Sequence, residues 1–428
     1  MIFNIIAFVI VFMGFQNYKK AFFIYLLYKI FLVQNINLIS LPGIPVLTVD
    51  MFLAFFFTAM FFFKKQNIDI DCRAFPFKVP FVILSITWLL SSAFSIAGFS
   101  QTITQCVGNY ICLQTLVPFV IWKILKSEND FLKFFSYCIV LFVFAAGYAF
   151  FEQVTHTNPI RDYEATLVTD INKAINWAYS EESLRGYRTQ SFFEHAIGAG
   201  INFSLFILWC WALIYKYKIS LSYQKFILLL TMCCILAMVF SNSRSPILFF
   251  GISLLGIANI KSKKQWAGII ILVIVLFMAI PFLSNYANNF LSFVDSNAQE
   301  KVGGSDIALR LRQLHASIML LDGHYFFGLG FKFRTIVHNS YTIQLMGMES
   351  IWFRVLTECG FVGAFANIFL ALYSIYILPK RFHSKSAFFL ALSYWIVNTT
   401  TSTPGMLVHL YYIVYFFFLK KDKGEYKK

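Results

Sequence analysis

The sequence predicts an all-α polytopic integral membrane protein, with about 12–13 transmembrane helices and two long extracytoplasmic loops. Two observations carry this. Only 13% of its 428 residues are charged while 59% are hydrophobic, where a soluble chain has about a quarter charged. The mean hydropathy is +0.69. The apolar residues also fall in runs close to the roughly 20 residues that cross a bilayer as helix, separated by short polar connections.

In chain order the candidate spans lie near 2–16, 20–39, 45–63, 79–98, 104–122 and 131–151, then 196–215, 225–242, 245–260 and 266–284, and finally 350–378, 386–402 and 405–419. Basic clusters occupy every second connection: Lys19/Lys20, Lys64 to Lys78, Lys123/Lys126/Lys133, Lys216/Lys218/Lys225, Lys261/Lys263/Lys264, Lys380/Arg381/Lys385 and the tail from Lys420. Basic connections stay in the cytoplasm, so the two long connections face outward. The organisation expected is 1–151, N-terminal transmembrane helices; 152–195, extracytoplasmic loop; 196–284, central transmembrane helices; 285–349, large extracytoplasmic loop; 350–428, C-terminal transmembrane helices and cytoplasmic tail. The first run starts at Met1 without a basic leader or a small-residue cleavage site, so no cleavable signal peptide is expected.

Several function classes lose support. The formal net charge is +15, but the basic residues sit in short clusters between apolar runs, which is a topology signal and not a nucleic-acid surface. No GxxxxGK[ST] loop and no HExxH occurs. The 8 cysteines show no metal or disulfide spacing and read as buried small apolar residues. Phe runs such as 55–57 and 61–63 are expected against lipid or neighbouring helices. Lys29, inside a span, either snorkels or pairs. A transporter would be expected to show internal repeats and polar residues at mid-bilayer, whereas here the polar residues gather at the outer loops.

The loop 152–195 mixes acids with Arg185 and Arg188, and Trp177 lies in a stretch that could form an interfacial helix. In the second loop a Gly303-Gly304 break precedes a helical segment from Ile307 to Leu321. Charges kept at a membrane edge are expected to be used, and they are densest from Arg310 to Gly363. There Arg310 is followed by the turn Gly328-Leu329-Gly330, the pair Glu349-Ser350, and a helix carrying Gly360 and Gly363.

This succession resembles the shared core of the bacterial O-antigen ligase and polymerase superfamily: an arginine, a GvG turn about eighteen residues on, a polar dipeptide, and an apolar helix ending in GxxG. SNSRSP at 241–246 and GYRTQSFFEHAIGAG at 186–200 are similar to two further segments of that family. Ligases of the family carry a histidine about eleven residues before the first glycine of GxxG. Glu349 stands there, and His338 lies eleven residues earlier still. The Glu-Ser version looks more like the polymerases that lengthen a lipid-linked glycan.

What the resemblance implies is a glycosyltransferase of the bacterial inner membrane, with its site facing outward and no metal or cofactor. The hydroxyl of an acceptor glycan attacks a donor glycan on polyprenyl diphosphate, and the lipid diphosphate leaves. Arg310, Arg244 and then Arg188 are expected to bind that diphosphate through bidentate guanidinium contacts. Glu349 is expected to take the hydroxyl proton, with His338 second. Arg334 and Arg354 are expected to be snorkelling anchors. Tyr179, Tyr187, Tyr325, Tyr341 and Trp352 are candidates for stacking on sugar rings. Partners would be lipid-linked donor and acceptor glycans, membrane lipid and a chain-length regulator, with no nucleic acid. A ligase acting on a lipid A-core acceptor, another lipid-linked glycosyltransferase and a glycolipid transporter or flippase remain as alternatives.

Overall fold

The computed structural model describes residues 2–31, 36–39, 47–63, 75–167, 187–216, 221–257, 307–337, 348, 350–401 and 409–422. The described residues form an all-α membrane fold with one small hairpin. Helices α1 (Ile2–Gln16), α2 (Tyr18–Phe31), α3 (Val49–Phe63), α4 (Lys78–Ala93), α5 (Phe99–Ile124) and α6 (Glu128–Thr155) occupy the N-terminal windows. Strands β1 (Asn37–Ile39) and β2 (Leu47–Thr48) pair antiparallel between α2 and α3. After the short α7 (Pro159–Leu167) come α8 (Ala196–Lys216), α9 (Leu221–Phe240), α10 (Arg244–Ile257), α11 (Ile307–Leu320), α12 (Ile351–Phe382), α13 (Lys385–Thr400) and α14 (His409–Asp422). The window 266–284 and the region around Trp177 lie outside the described residues.

Helix α5, α6, α8, α9 and α12 are each long and apolar enough to cross a membrane, and α1, α3, α4 and α10 are shorter apolar helices. Lipid offers no hydrogen-bond partner to a backbone, so apolar runs satisfy their amides internally as helix. The prolines inside two long helices show how. Pro118 in α5 and Pro379 in α12 each follow a π-helical stretch, Cys106–Leu116 and Tyr373–Ile377. A proline lacks the N–H and crowds the carbonyl four residues back, and the wider π turn relieves that crowding.

The chain divides into two compact units, residues 1–137, 311–384 and 398–428 in the first and 138–310 and 385–397 in the second. The first has an aromatic interior. Phe77 packs on Phe81, Tyr412, Tyr415 and Phe416, and Trp122 packs on Phe416. Lys420, buried on α14, lies 4.2 Å over the Trp122 ring and donates to the carbonyl of Leu125, where its charge complements the negative end of α5. In the second unit α8 is buried along most of its length, from Ala199 to Leu213. Gly200 makes this possible, since a Cβ there would collide with the Pro246 ring of α10. Apolar residues such as Phe144, Phe365 and Leu229 remain exposed, as lipid-facing side chains must. Of the cysteines, Cys106, Cys112, Cys138, Cys210, Cys234 and Cys359 are buried free thiols and Cys233 is half-buried.

Lys29 pairs rather than snorkels. Its ammonium meets the Asp50 carboxylate, with Asp50 2% exposed, and the second Asp50 oxygen has no hydrogen-bond partner among the described residues. Breaking such a buried pair by removing one charge costs about 3–5 kcal/mol, whereas replacing both partners by apolar groups is near neutral. Lys29→Met should therefore lower the thermal midpoint of the detergent-purified protein sharply. The double substitution Lys29→Met with Asp50→Leu should restore most of it; a double variant as unstable as the single one would refute the charge-pair account.

Candidate functional site

Two polar constellations stand out, one in each unit. In the second unit the loop before α8 runs against the mouth of α10. The Thr189 N–H donates to the Phe240 carbonyl at 3.1 Å, and Arg188 Nη2 donates to Ser243 Oγ at 2.7 Å. Ser243 immediately precedes Arg244, the first residue of α10. The α9–α10 turn is closed by Asn242 at φ 45° and by Ser243 Oγ donating to the Ser241 carbonyl. The structure thus brings the two loops bearing Arg188 and Arg244 together.

Sequence reasoning missed what holds the Arg188 loop. Glu152, 1% exposed near the end of α6, accepts from the backbone N–H groups of Gln190 and Ser191 at 3.0 and 2.6 Å and from Tyr187 Oη at 3.2 Å. Gln153 accepts from Thr189 Oγ1. One carboxylate in an apolar run was the available signal, because it needs donors from elsewhere. Nearby, Arg161 of α7 pairs with Glu164 and donates to the Phe192 carbonyl at 2.5 Å. Burial raises the Glu164 carboxyl to about 7 against the opposing pull of Arg161.

His195 closes this loop. Its Nδ1 accepts from the Ile197 N–H at 3.1 Å, at the start of α8. Burial first, and then the charges of Arg188 and Arg161, lower it to about 3, so it is neutral in the folded protein. Tyr187 stacks on His156 at 4.7 Å.

In the first unit the two glycine motifs lock into each other. Helix α12 is broken at Gly360, whose φ of 62° is left-handed. The backbone groups freed there are taken up by the segment 325–330. Leu329 and Gly330 N–H donate to the Thr357 and Glu358 carbonyls at 2.8 and 3.0 Å, and Phe361 and Val362 N–H donate to the Tyr325 and Phe326 carbonyls at 2.8 and 3.1 Å. A Cβ on Gly328 would come within 2.6 Å of the Gly360 nitrogen, and one on Gly360 within 2.5 Å of the Phe326 carbonyl oxygen. Helix α4 and the turn after it brace the lock: Ser91 Oγ donates to the Glu358 carbonyl at 2.5 Å, Ser95 Oγ to the Phe331 carbonyl at 3.1 Å, and the Ile96 N–H to the Leu329 carbonyl at 3.1 Å.

Above this lock the Arg354 guanidinium is held by the chain rather than snorkelling. Its Nε lies 3.2 Å from both Glu358 oxygens and its Nη2 2.7 Å from Tyr110 Oη, while Tyr110 donates to Glu358 Oε2 at 3.0 Å. The Arg-Glu spacing of four on an apolar helix was the overlooked signal. Tyr110 itself packs 4.3 Å from Phe331 and 5.3 Å from Trp88.

Arg310, half-buried, lies on the face of α11 that carries the buried Gln313 and Ser317, while Arg312 and His315 lie on its exposed face. Ser350 caps α12, its hydroxyl accepting from the Trp352 N–H at 3.3 Å. Glu349 and His338 lie outside the described residues, as do Tyr179 and Tyr341. Met348, next to Glu349, is buried with Ala316, Leu329 and Phe333. Trp352 Nε1 donates to Thr399, and Tyr325 lies over Phe361. Among the described residues no group of three or more His, Cys, Asp or Glu side chains could hold a metal.

Fold and constellations together define a multi-pass helical membrane protein with arginines gathered at helix entrances. Residues 226–368 match the family model described as O-antigen ligase. The matched stretch contains Arg244, Arg310 and both glycine motifs, and it supports the O-antigen ligase and polymerase superfamily, a group of glycosyltransferase-like enzymes. Arg188, Glu152, Tyr110, Ser91 and Ser95 lie outside it. No curated protein matches the chain.

The lock makes Gly360→Ala costly. The left-handed backbone alone disfavours alanine by about 1–2 kcal/mol, and the clash with Phe326 adds to it. Gly147→Ala, in α6 with open space around the position, should be neutral or stabilising by up to about 1 kcal/mol. Thermal unfolding of both variants checks this, and equal effects would contradict the lock. His195 gives a pH signature. Its folded pKa is depressed, so its stabilising contribution is complete above the unfolded value of about 6.5 and is lost as pH falls toward 3. His195→Asn should flatten the fall in unfolding temperature across that window.

Proposed function

We propose that this protein is a polymerase that joins polyprenyl-diphosphate-linked glycan repeat units at the extracytoplasmic face of the bacterial inner membrane, making O-antigen, capsule or exopolysaccharide. The observation that carries this reading is the coincidence of the family match with Arg244 at the mouth of α10, Arg310 on the inner face of α11, and the interlocked glycine motifs. An acceptor hydroxyl attacks the anomeric carbon of the donor glycan. The bond from that carbon to the diphosphate oxygen breaks, the lipid diphosphate leaves as an anion, and the hydroxyl proton passes to Glu349. Arg188, Arg244 and Arg310 stabilise the charge that develops on the leaving group, the interaction that lowers the barrier. No nucleotide or metal enters the scheme. A chain-length regulator is the expected protein partner.

The ligase reading is the second one, favoured by the description of the matching family model. In it His338 is the base and the acceptor is a lipid A-core. The two readings separate at one residue. Under the polymerase reading Glu349→Gln should lower chain extension by about 10²–10⁴-fold while His338→Ala does less; the reverse order would favour the ligase. Arg244→Lys and Arg310→Lys keep charge but lose the fork, and both should be severely impaired at normal membrane levels. Deleting the gene should leave single repeat units on the lipid core. A bare core with long chains left on polyprenyl diphosphate would indicate a ligase. A reporter fused at Gly303 should be active only outside the cytoplasm, and a cytoplasmic signal there would defeat the scheme.

A further inference from the structure

We propose that Arg334 and Arg354 form a second anion-binding site, built for a phosphate-type oxyanion and separate in its residues from Arg188, Arg244 and Arg310. Its assignment to the lipid diphosphate of the substrate that is not cleaved rests on the proposed function. The site itself rests on geometry. Glu358 and Tyr110 engage Nε and Nη2 of Arg354 and leave Nη1 without a protein partner among the described residues. The Arg354 side chain is 36% exposed and the Glu358 side chain 13%. A snorkelling anchor needs no such backing. A guanidinium fixed from behind with its remaining N–H groups outward is preorganised for an oxyanion, which it meets without first losing side-chain freedom.

Arg334 supplies the second cation. Residues 331–334 alternate: Phe331 and Phe333 are buried at 0% and 1%, while Lys332 and Arg334 are exposed. Lys332 at φ 61° and the following 3-10 turn set that alternation. The Arg334 guanidinium lies 5.8 Å from the Phe333 ring centroid and forms no hydrogen bond or ion pair among the described residues. Phe331, three residues before it, packs 4.3 Å from Tyr110, whose hydroxyl accepts from Arg354 Nη2 at 2.7 Å, and the charges of Glu358 and Arg354 act on Arg334. Among the described residues Glu358 is the one carboxylate bonded to either guanidinium, so one of the two positive charges is uncompensated. An incoming anion relieves the repulsion between them.

Glycan polymerisation gives this site a ligand of the right chemistry. Two lipid diphosphates meet in each cycle, and only one leaves. The other keeps its ester bond and still has to be held while its sugar hydroxyl attacks. The arginines of the second unit serve the leaving group, and Arg334 with Arg354 serves the retained one.

Calorimetric titration of the full-length purified chain with a polyprenyl diphosphate lacking any glycan tests this directly. The wild-type protein should take up two equivalents. Arg334→Gln, at an exposed position that should not disturb folding, and Arg354→Lys, which keeps the charge facing Glu358, should each weaken one equivalent by about tenfold or more and leave the other. Arg244→Lys should do the converse. Inorganic pyrophosphate should displace the lipid from both. Two unchanged equivalents in Arg334→Gln and Arg354→Lys would overturn the proposal. So would competition at this site by a uronic acid but not by pyrophosphate, which would make the ligand an acidic sugar. A single wild-type equivalent, lost in Arg334→Gln and kept in Arg244→Lys, would uphold this site while removing Arg244 from the proposed reaction.

Discussion

A backbone group freed inside an apolar helix has to find a partner in the protein, and the arrangement of the first unit follows from how that is met at Gly360. Helix α12 breaks there, and the segment 325–330 supplies both donors and acceptors for the opened turn. In lipid each unsatisfied amide would cost several kcal/mol, so the two segments can exist in this form only together. Gly328 and Gly360 are required because each occupies the space where the other's Cβ would stand. The hydroxyls of Ser91 in α4 and of Ser95 in the turn after it extend the same exchange to a segment distant in sequence. The lock therefore holds the backbone four residues before Arg334, at Gly330, and six residues after Arg354, at Gly360.

Side-chain charge follows the same rule. Lys29 meets Asp50, Arg161 meets Glu164, and Arg354 meets Glu358. Glu152 forms no ion pair among the described residues, and its carboxylate accepts from backbone donors of the loop it organises. A carboxylate that accepts several N–H bonds is also a clamp on the backbone that donates them. That clamp sets the course of residues 187–191 and so delivers Arg188 to Ser243, beside Arg244.

Most of the helical architecture was legible in the sequence because lipid leaves an apolar run little choice but helix. The observed helices α1, α6 and α8 begin and end within a few residues of their hydropathy windows, and the helix expected from Ile307 to Leu321 is α11. The hairpin β1–β2 fell inside windows read as helix, since its residues are as apolar as the flanking spans. The arginine motifs were visible as charges near span ends. Their partners were not, because Glu152 and Tyr110 are single residues in apolar runs whose meaning depends on contacts made 35 to 248 positions away. Arg354 was misjudged for the same reason: an arginine at a span entrance reads as a snorkelling anchor until Tyr110 and Glu358 are seen around it. The glycine motifs were recognised as a pattern, but that each is the other's steric partner is a tertiary fact.

The position that separates the two functional readings sits at the end of this chain of constraints. Ser350 caps α12 and Met348 is buried with Ala316, Leu329 and Phe333, so the chain is anchored on both sides of position 349, which itself lies outside the described residues. The partial charge of a helix N-terminus favours an ionised carboxylate and disfavours an imidazolium. On the proposed scheme a glutamate or a histidine just ahead of such a helix would be favoured in the same condition, the unprotonated base that can accept a hydroxyl proton. Exchange of one for the other preserves proton acceptance while changing reach and charge. On the proposed scheme the glutamate brings a negative charge close to a reaction whose other parts are cationic, which makes strong anion binding by arginines more necessary here than in an enzyme with neutral histidine.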